Sequence, residues 1–287
     1  MSERLKNFLY KFKIAPKSSR TMFVLGIILF LFIIILNIYV FYFGFSPLEM
    51  TGDKFVEPNN KYFMGTDQLG RDVFSRVVVG SQSSILIAFI AVIIASSLGS
   101  TLGVYAGYFA GKIDRVLSVI FDVLYAFPGI IFAILISIML GRGIYNTAIA
   151  IAIGYIPQYF RVVRGISLSV KERPFIEALR SIGAKPRTLI FQHMIIYAIP
   201  SIIALIVLNM GSAILAVSGL GFLGLGLPPP NPELGTDLGR GRDFITAKIW
   251  WTSVFPGLMI LMIVLSFTLL GEGLNEILSA KISDARA

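Results

Sequence analysis

The stretch RPFIEALRSIGAKPRTLIFQH, residues 173–193, is rich in Arg and Lys and stands between two long apolar runs. Pro174 fits the first turn of a helix, where its missing N–H costs no hydrogen bond, and Gly183 fits the left-handed residue just past a helix end. The pattern therefore predicts a helix of about ten residues, then a turn, then a second helix from Pro186. A helix this short is marginal in water, so we expect it to lie against a surface.

The whole chain is too apolar for a soluble domain. Of its 287 residues, 56% are hydrophobic and 14% are charged, and the mean hydropathy is +0.81. Soluble domains are typically about 25% charged. The composition predicts an integral membrane protein, and the long apolar stretches described next predict that it is all-α. Because the chain has no Cys, a disulfide framework, a thiolate metal site and a cysteine nucleophile are excluded.

Six apolar stretches approach the roughly 20 residues that a helix needs to cross a bilayer. They are 22–45, 85–107, 116–140, 144–160, 194–217 and 249–270. The first follows basic residues, as a signal peptide does, but it exceeds the roughly 7–15 apolar residues of a signal sequence, so we expect an anchor. The expected organisation is a basic N-terminus at 1–21, an anchor helix at 22–45, an extracytoplasmic segment at 46–84, a core of five further spans at 85–280 with a cytoplasmic loop at 171–193, and a tail at 281–287.

The distribution of basic residues predicts the orientation. Most of the 25 Lys and Arg residues fall in segments 1–21, 108–115, 161–193 and 271–287. Loops rich in Lys and Arg stay in the cytoplasm. We therefore expect a multi-pass protein of a bacterial-type cell membrane with both termini in the cytoplasm. The net positive charge reflects this topology, so it does not indicate a nucleic-acid partner.

Sites for catalysis or cofactors are not apparent. The sequence has no G-x-x-x-x-G-K-[ST] phosphate-binding loop. The GLGFLG stretch at 219–224 satisfies a dinucleotide pattern but lacks the strand, amphipathic helix and acidic residue that such a site requires. His193 is the only histidine, so a common zinc site and a Ser–His pair are not expected. We expect no cofactor, no metal and no catalytic residue.

Two features of the apolar segments point to packing or to a polar environment. Gly99, Gly103, Gly107 and Gly111 recur every four residues and predict a groove that lets another helix approach closely. Asp122 lies inside a predicted span, where an ionisable group is costly and usually faces a cavity or a partner. Two interpretations of Asp122 stay open: it lines a pathway, or it is a helix-end residue satisfied by an adjacent subunit.

The opening stretch also resembles a known family. EALRSIGA at 177–184, followed by HMIIYAIP at 193–200, resembles the EAA loop of ABC importer permeases, which docks into the ATPase subunit. Glu177, Ala178 and Gly183 match that loop, whereas Leu179 replaces its second Ala and Ile196 replaces a frequent Pro. The resemblance implies a coupling helix whose docking residues are Phe175, Glu177, Ala178, Leu179, Arg180, Gly183 and Ala184.

Further stretches resemble the dipeptide, oligopeptide and nickel branch of these permeases. They are GTDQLGRDVFSRVVVGSQSSI at 65–85, YAGYFAGKIDRVLSVIFDVLYAFPGI at 105–130, FLGLGLPPPNPELG at 222–235, GRDFITAKIWWTSVFPG at 241–257 and LLGEGLNEILSAK at 269–281. The resemblance implies six transmembrane helices in the type I ABC importer architecture. It also implies a second homologous permease, two P-loop ATPase subunits and an extracytoplasmic substrate-binding protein as partners, with membrane lipid around the complex.

The expected function is that of a permease subunit without an ATPase site of its own, forming half of a pathway for peptides. Nickel or another small solute stays open as an alternative cargo. An ion-coupled secondary transporter is less favoured, because such proteins typically show inverted repeats or paired charges near the midplane.

Overall fold

The computed structural model describes residues 10–279. Its main helices are α1 Lys17–Tyr42, α2 Val73–Phe109, α3 Gly111–Ala126, α4 Gly129–Leu140, α5 Ile144–Lys171, α6 Pro174–Ser181, α7 Pro186–Phe222, α8 Leu234–Arg242 and α9 Trp251–Ser279. Helix α7 includes a π-helical turn at Leu189–Met194. Within the described range the only β-pairing is two isolated bridges, Met50–Arg71 and Thr66–Asp72. The predicted all-α class is confirmed.

Among the described residues, four helices are long and apolar enough to cross a membrane: α1, α2, α7 and α9. Helices α3 and α4 would make a fifth span together, but they are bent by 93°. The predicted span at 116–140 is thus divided into two helices at Phe127 and Pro128. Phe127 is extended before Pro128, as expected because a proline disfavours the helical conformation of the residue before it. Helix α5 contains Arg161 and Arg164 and falls outside this set, so the six-span count stays a prediction.

Helix α2 begins earlier than its hydropathy indicates. The predicted span starts at residue 85, whereas α2 starts at Val73. The carboxylate of Asp72 accepts a 2.8 Å hydrogen bond from the backbone N–H of Ser75, which satisfies one of the free donors at a helix start. The last part of the expected 46–84 segment is therefore helical.

Helices α2 and α5 run in the same direction in close contact. A Cβ atom added to Gly99 would lie 2.6 Å from the carbonyl oxygen of Ile156, and one added to Gly103 would lie 2.6 Å from that of Phe160. One added to Gly107 would lie 2.5 Å from the Cβ atom of Ser167. These three glycines thus line the predicted groove.

Gly111 does not belong to that groove, which corrects the four-glycine prediction. Helix α2 ends at Phe109, and the chain turns at Ala110, which has a positive φ of 53°. Gly111 follows with φ of 63° and has no other atom within 4 Å of an added Cβ. Glycine is favoured at position 111 because the turn into α3 requires a positive φ there, and not because α2 and α5 are in contact.

The bundle has two distinct ends. At one end α6 follows α5, and the start of α1 meets the end of α9, where the Ser19 hydroxyl donates to Glu276 and Lys11 Nζ donates to the Leu278 carbonyl at 2.7 Å. At the other end α8 joins the start of α2. We call them the α6 end and the α8 end. Both terminal helices α1 and α9 therefore have their outer termini at the α6 end.

We expect Gly103→Ala to lower the thermal unfolding midpoint of the purified protein in detergent. The added methyl group forces α2 and α5 apart, and overpacking of this kind costs about 1–3 kcal/mol. Gly165→Ala is the matched control, because Gly165 is helical on α5 and an added Cβ would meet nothing within 4 Å. It should keep or raise the midpoint, since Ala stabilises a helix by about 0.5–1 kcal/mol over Gly. Equal midpoints for the two variants would contradict the close contact.

Candidate functional site

Helix α6 is eight residues long and has Pro174 at its first turn. Its end is closed by two backbone hydrogen bonds of 3.0 Å, from Gly183 N–H to the Arg180 carbonyl and from Ala184 N–H to the Leu179 carbonyl. Gly183 has a φ of 83°, in the left-handed region that side chains other than glycine disfavour. The predicted start and the predicted left-handed glycine are both present, although the helix is shorter than expected.

The inner face of α6 packs on the ends of α2, α5 and α7. Ile176 is fully buried, and Phe175, Leu179 and Ala184 are half-buried beside it. The buried residues of this cluster are Val104, Val163, Val170, Ile176, Leu189, Ile190, Met194 and Ala198. Burial of an aliphatic side chain such as Ile176 stabilises the fold by about 1.5–3 kcal/mol. The short helix is thus fixed to three long helices, α2, α5 and α7.

Two guanidinium groups add contacts at the edges of α6. The Arg173 guanidinium lies 4.7 Å from the ring centroid of Tyr197 on α7, and that of Arg180 lies 5.7 Å from the ring centroid of Tyr108 on α2. Cations within about 6 Å of an aromatic face are attracted to it. These contacts connect α6 to α2 and α7 in addition to the apolar cluster.

The outer face of α6 is exposed. Glu177, Ala178 and Gly183 are exposed, and Ile182 is 81% exposed. Phe175, Leu179 and Ile182 are spaced i, i+4 and i+7, which would place all three on one face of a continuous helix, but Ile182 does not lie on the buried face. The helix ends at Ser181, so Ile182 no longer follows the helical rotation. A single exposed isoleucine is ordinary on a protein surface, and here it adds one apolar side chain to the polar outer face of α6.

Two ion pairs connect α3 to α5. Arg164 binds Asp114 through Nε to Oδ1 and through Nη2 to Oδ2, the latter at 2.7 Å. Arg161 Nη2 binds Asp122 Oδ1 at 2.7 Å. The Arg161 guanidinium also lies 4.2 Å from the ring centroid of Tyr125. Asp122 thus has its ionic partner in the same chain, on α5.

A cavity of about 320 Å³ lies between α4, α5 and α7. Five of its lining residues are small, which leaves the space open. The lining residues are Gly129, Ile130, Ala133, Ile151, Gly154, Tyr155, Ser212, Leu215 and Ala216. Ser212 and Leu215 are exposed on the outside of the bundle, so the cavity opens to the surface along α7.

The α8 end contains a buried polar network that the sequence analysis did not identify. The Glu233 carboxylate accepts hydrogen bonds from Gly235 N–H at 2.8 Å, from Thr236 N–H at 2.8 Å and from the Thr236 hydroxyl at 2.7 Å. The Ser84 hydroxyl on α2 donates to it at 3.2 Å. Burial raises the pKa of Glu233, and these hydrogen bonds oppose the shift. Glu233 therefore caps α8 and ties it to α2.

Arginine side chains extend this network. Arg76 is buried and binds Asp237 of α8 at 2.7 Å and the Pro47 carbonyl at 3.0 Å, while Arg71 binds Asp67 at 2.6 Å. These buried ion pairs could have been anticipated from the sequence GTDQLGRDVFSR, residues 65–76, in which charged residues directly precede an apolar span. Charges in such a position are buried only when paired.

We expect Glu233→Gln to destabilise the α8 end. All four groups around the carboxylate act as donors to it, so the amide N–H₂ of Gln would face another N–H. Leaving buried polar groups unsatisfied costs about 1–3 kcal/mol. Glu57→Gln, in the same half of the molecule but exposed, is the control and should not change the midpoint. The check is thermal unfolding in detergent; a Glu233→Gln midpoint equal to that of Glu57→Gln would refute the capping role.

The chain is similar in sequence to membrane components of transport systems. The chain matches the family described as "Binding-protein-dependent transport system inner membrane component" over residues 99–284. It is 44% identical over 226 residues to the glutathione transport system permease protein GsiD of Escherichia coli O6:K15:H31, covering 78% of this chain and 74% of that protein. It is 47% identical over 226 residues to GsiD of Shigella flexneri serotype 5b, with the same coverage.

A solved structure is similar in fold. A chain from the inward facing conformations of the MetNI methionine ABC transporter superposes with a TM-score of 0.55 at 17% identity, covering 71% of this chain and 95% of that one. The family match begins within α2, so α1 precedes it.

Proposed function

Because the chain belongs to the family of binding-protein-dependent transport system inner membrane components, we propose that it forms half of the translocation pathway of an ATP-driven peptide importer. The chain is a permease subunit of an ABC importer and has the type I fold of such permeases. Importers of this class work with ATPase and substrate-binding partners. Beyond this family assignment, we propose the cargo, the composition of the complex and the orientation of the chain in the membrane.

The observation that carries the proposal is α6, which is anchored on one face and exposed on the other. The ATPase subunit docks on the exposed face, around Glu177, Ala178 and Ile182. Phe175, Leu179 and Ala184 hold the helix against the bundle. Of the docking residues that the family resemblance implies, Glu177, Ala178, Arg180 and Gly183 are exposed and available to the ATPase, whereas Phe175, Leu179 and Ala184 anchor the helix. Movement of the ATPases on binding ATP is transmitted to α5 and α7 as a rigid-body displacement of α6.

Two P-loop ATPases and a second homologous permease complete the membrane complex in this proposal. The sequence itself lacks a G-x-x-x-x-G-K-[ST] loop, which supports ATP hydrolysis by the partners. The purified chain alone is accordingly expected to show no ATPase activity.

The α6 end faces the cytoplasm in this proposal. The start of α1 and the end of α9 lie at that end, together with most of the Lys and Arg residues outside the spans. The α8 end, with the segments around residues 46–72 and 223–250, then faces the exterior and receives the substrate-binding protein.

Peptides are the proposed cargo because the named relatives are glutathione transport permeases, and glutathione is a tripeptide. Nickel or another small solute is the alternative. Uptake into proteoliposomes that contain both permeases and both ATPases, with the cognate binding protein outside, distinguishes them. ATP-dependent uptake of nickel without uptake of peptides would refute the peptide assignment.

We expect Gly183→Asp to abolish ATP-driven uptake, because Asp at a φ of 83° is strained and displaces the exposed end of α6. Gly44→Asp is the matched control, because Gly44 has a φ of 67°, follows the end of α1 with backbone hydrogen bonds in the same pattern as those at Gly183, and an added Cβ at either glycine would meet nothing within 4 Å. It lies at the α8 end, away from α6, and should keep uptake and co-purification of the ATPase. Normal uptake by Gly183→Asp would contradict docking through α6.

Single cysteines test the orientation, because the chain has no native Cys. Asn59, Lys185 and Asn231 are all exposed. In intact cells, cysteines at positions 59 and 231 should react with a membrane-impermeant maleimide, and a cysteine at position 185 should react only after the membrane is opened. The reverse labelling pattern would overturn the cytoplasmic position of α6.

A further inference from the structure

We propose that α3 is a membrane-surface helix that binds anionic phospholipids of the cytoplasmic leaflet. Its exposed apolar face enters the acyl-chain region, while Lys112 and Arg115 bind the phosphates of the headgroups. The inference rests on the proposed function, which places the α6 end in the cytoplasm, and it names lipid as the partner of a helix at that end.

Helix α3 runs across α5 rather than along it. Asp114 and Asp122 are eight residues apart, which corresponds to about 12 Å along the axis of α3. Their partners Arg164 and Arg161 are only three residues apart on α5, or about 4.5 Å along its axis. The chain then turns by 93° into α4. Helix α3 therefore lies largely at one level of the bundle, beside the α5 residues that it binds.

That level is the boundary between membrane and cytoplasm in the proposed orientation. The apolar stretch of α5 ends at residue 160, and Arg161 begins the basic segment 161–193. The 16 residues of α3 correspond to about 24 Å of helix, less than the hydrocarbon core of about 30 Å. Tyr125 of α3 is exposed beside the Arg161 guanidinium, and tyrosine is enriched at membrane–water interfaces.

Three faces of α3 have different surroundings. Leu117, Phe121 and Leu124 lie on the face that packs on α2 and α5. A second face carries Arg115 and Asp122, which are exposed and spaced i, i+7. The third face is apolar, is spaced alternately by three and four residues, and is 44–58% exposed; it contains Ile113, Val116, Ile120, Val123 and Phe127. A helix with separate exposed apolar and polar faces fits the boundary between hydrocarbon and water.

The basic side chains of α3 are available to an anionic partner. Lys112 and Arg115 are exposed, and within the described part of the chain neither forms a hydrogen bond or an ion pair. Asp114 and Asp122, the acidic residues of α3, are already paired with arginines of α5. Two cations of α3 are thus left without a countercharge, and basic side chains near a membrane surface attract anionic lipids.

The positions of these two cations suit lipid phosphates. Lys112 precedes Val116 by four residues and therefore adjoins the apolar face. Its aliphatic chain covers apolar surface while the ammonium group extends to the headgroups. Arg115 lies on the polar face, where its planar guanidinium matches the geometry of a phosphate. An anionic phospholipid satisfies the apolar face and the cations together, whereas a soluble phosphate satisfies the cations alone.

Spin labels on α3 measure its surroundings and its depth. The complex of both permeases with their ATPases, in which the partner subunits have had their cysteines replaced, is placed in nanodiscs of phosphatidylglycerol and phosphatidylcholine. Ile113→Cys and Ile120→Cys carry labels on the apolar face, and Arg115→Cys carries one on the polar face. Collisions with oxygen report contact with acyl chains, and collisions with a water-soluble nickel chelate report contact with water.

We expect the labels at positions 113 and 120 to collide mainly with oxygen, both about 5–10 Å inside the headgroup boundary, and the label at 115 to collide mainly with nickel. A depth difference of about 10 Å between positions 113 and 120 would indicate a spanning helix. Collisions of the label at 120 with nickel would indicate a water-filled pathway, and protection from both reagents would indicate a protein partner. Each of these three results overturns the inference.

Brominated lipids test the preference for anionic headgroups. A bimane on Ile120→Cys should be half-quenched at an about fivefold lower fraction of acyl-brominated phosphatidylglycerol than of phosphatidylcholine, the effect of one basic side chain near the membrane surface. Lys112→Gln with Arg115→Gln should abolish this preference. The matched control is Lys185→Gln with Arg187→Gln, which removes two exposed cations near α6 and should keep it. Equal quenching by both lipids, or a preference that survives Lys112→Gln with Arg115→Gln, overturns the inference.

These measurements separate failure of the inference from failure of the proposed function. The nanodiscs have the same lipids in both leaflets, so contact of α3 with lipid is detected in either orientation. Normal ATP-driven uptake without lipid contact at α3 overturns the inference and leaves the permease function intact. Lipid contact in a chain whose position 185 is labelled from outside intact cells overturns the proposed orientation and, with it, the assignment to the cytoplasmic leaflet.

Discussion

The contact between α2 and α5 is the constraint on which the rest of the structure depends. Gly99, Gly103 and Gly107 let the two backbones approach so closely that a single added methyl group does not fit. In a bilayer, where lipid removes most of the hydrophobic drive between helices, such close packing is a main source of association. Because α6 follows α5 and packs beside the end of α2, the same contact fixes the base on which α6 rests.

The polar side chains are buried at the α8 end and exposed at the α6 end. At the α8 end, Glu233 and Arg76 are buried and hydrogen-bonded, and both connect α8 to α2. Between α3 and α5, two hydrogen bonds join Arg164 to Asp114 and one joins Arg161 to Asp122. At the α6 end, Glu177, Ala178 and Ile182 are exposed. Buried polar contacts therefore hold the α8 end together, whereas the α6 end offers an exposed surface.

Local signals predicted the features that depend on local sequence. Pro174 and Gly183 predicted the bounds of α6 because ring geometry and positive φ act within one residue, and hydropathy found the apolar helices. Pro128 indicates a break in its span, but the 93° size of the bend does not follow from the sequence, because proline is also compatible with a gently kinked span. The contact of Glu233 with α2 was missed because its Ser84 partner is 149 residues away. Gly111 continued the four-residue spacing beyond the end of the helix, which the spacing alone does not reveal.

The central claim is that α6 and the adjoining ends of α5 and α7 move as one rigid unit during the ATP cycle. Spin labels at Ile182 and Ile196, both exposed, report distances within that unit, and labels at Ile182 and Asn231 report distances from the α6 end to the α8 end. Pulsed electron spin resonance on the complex with and without bound ATP should show an unchanged distance between positions 182 and 196 and an altered distance between positions 182 and 231. A changed 182–196 distance with a constant 182–231 distance would contradict the claim.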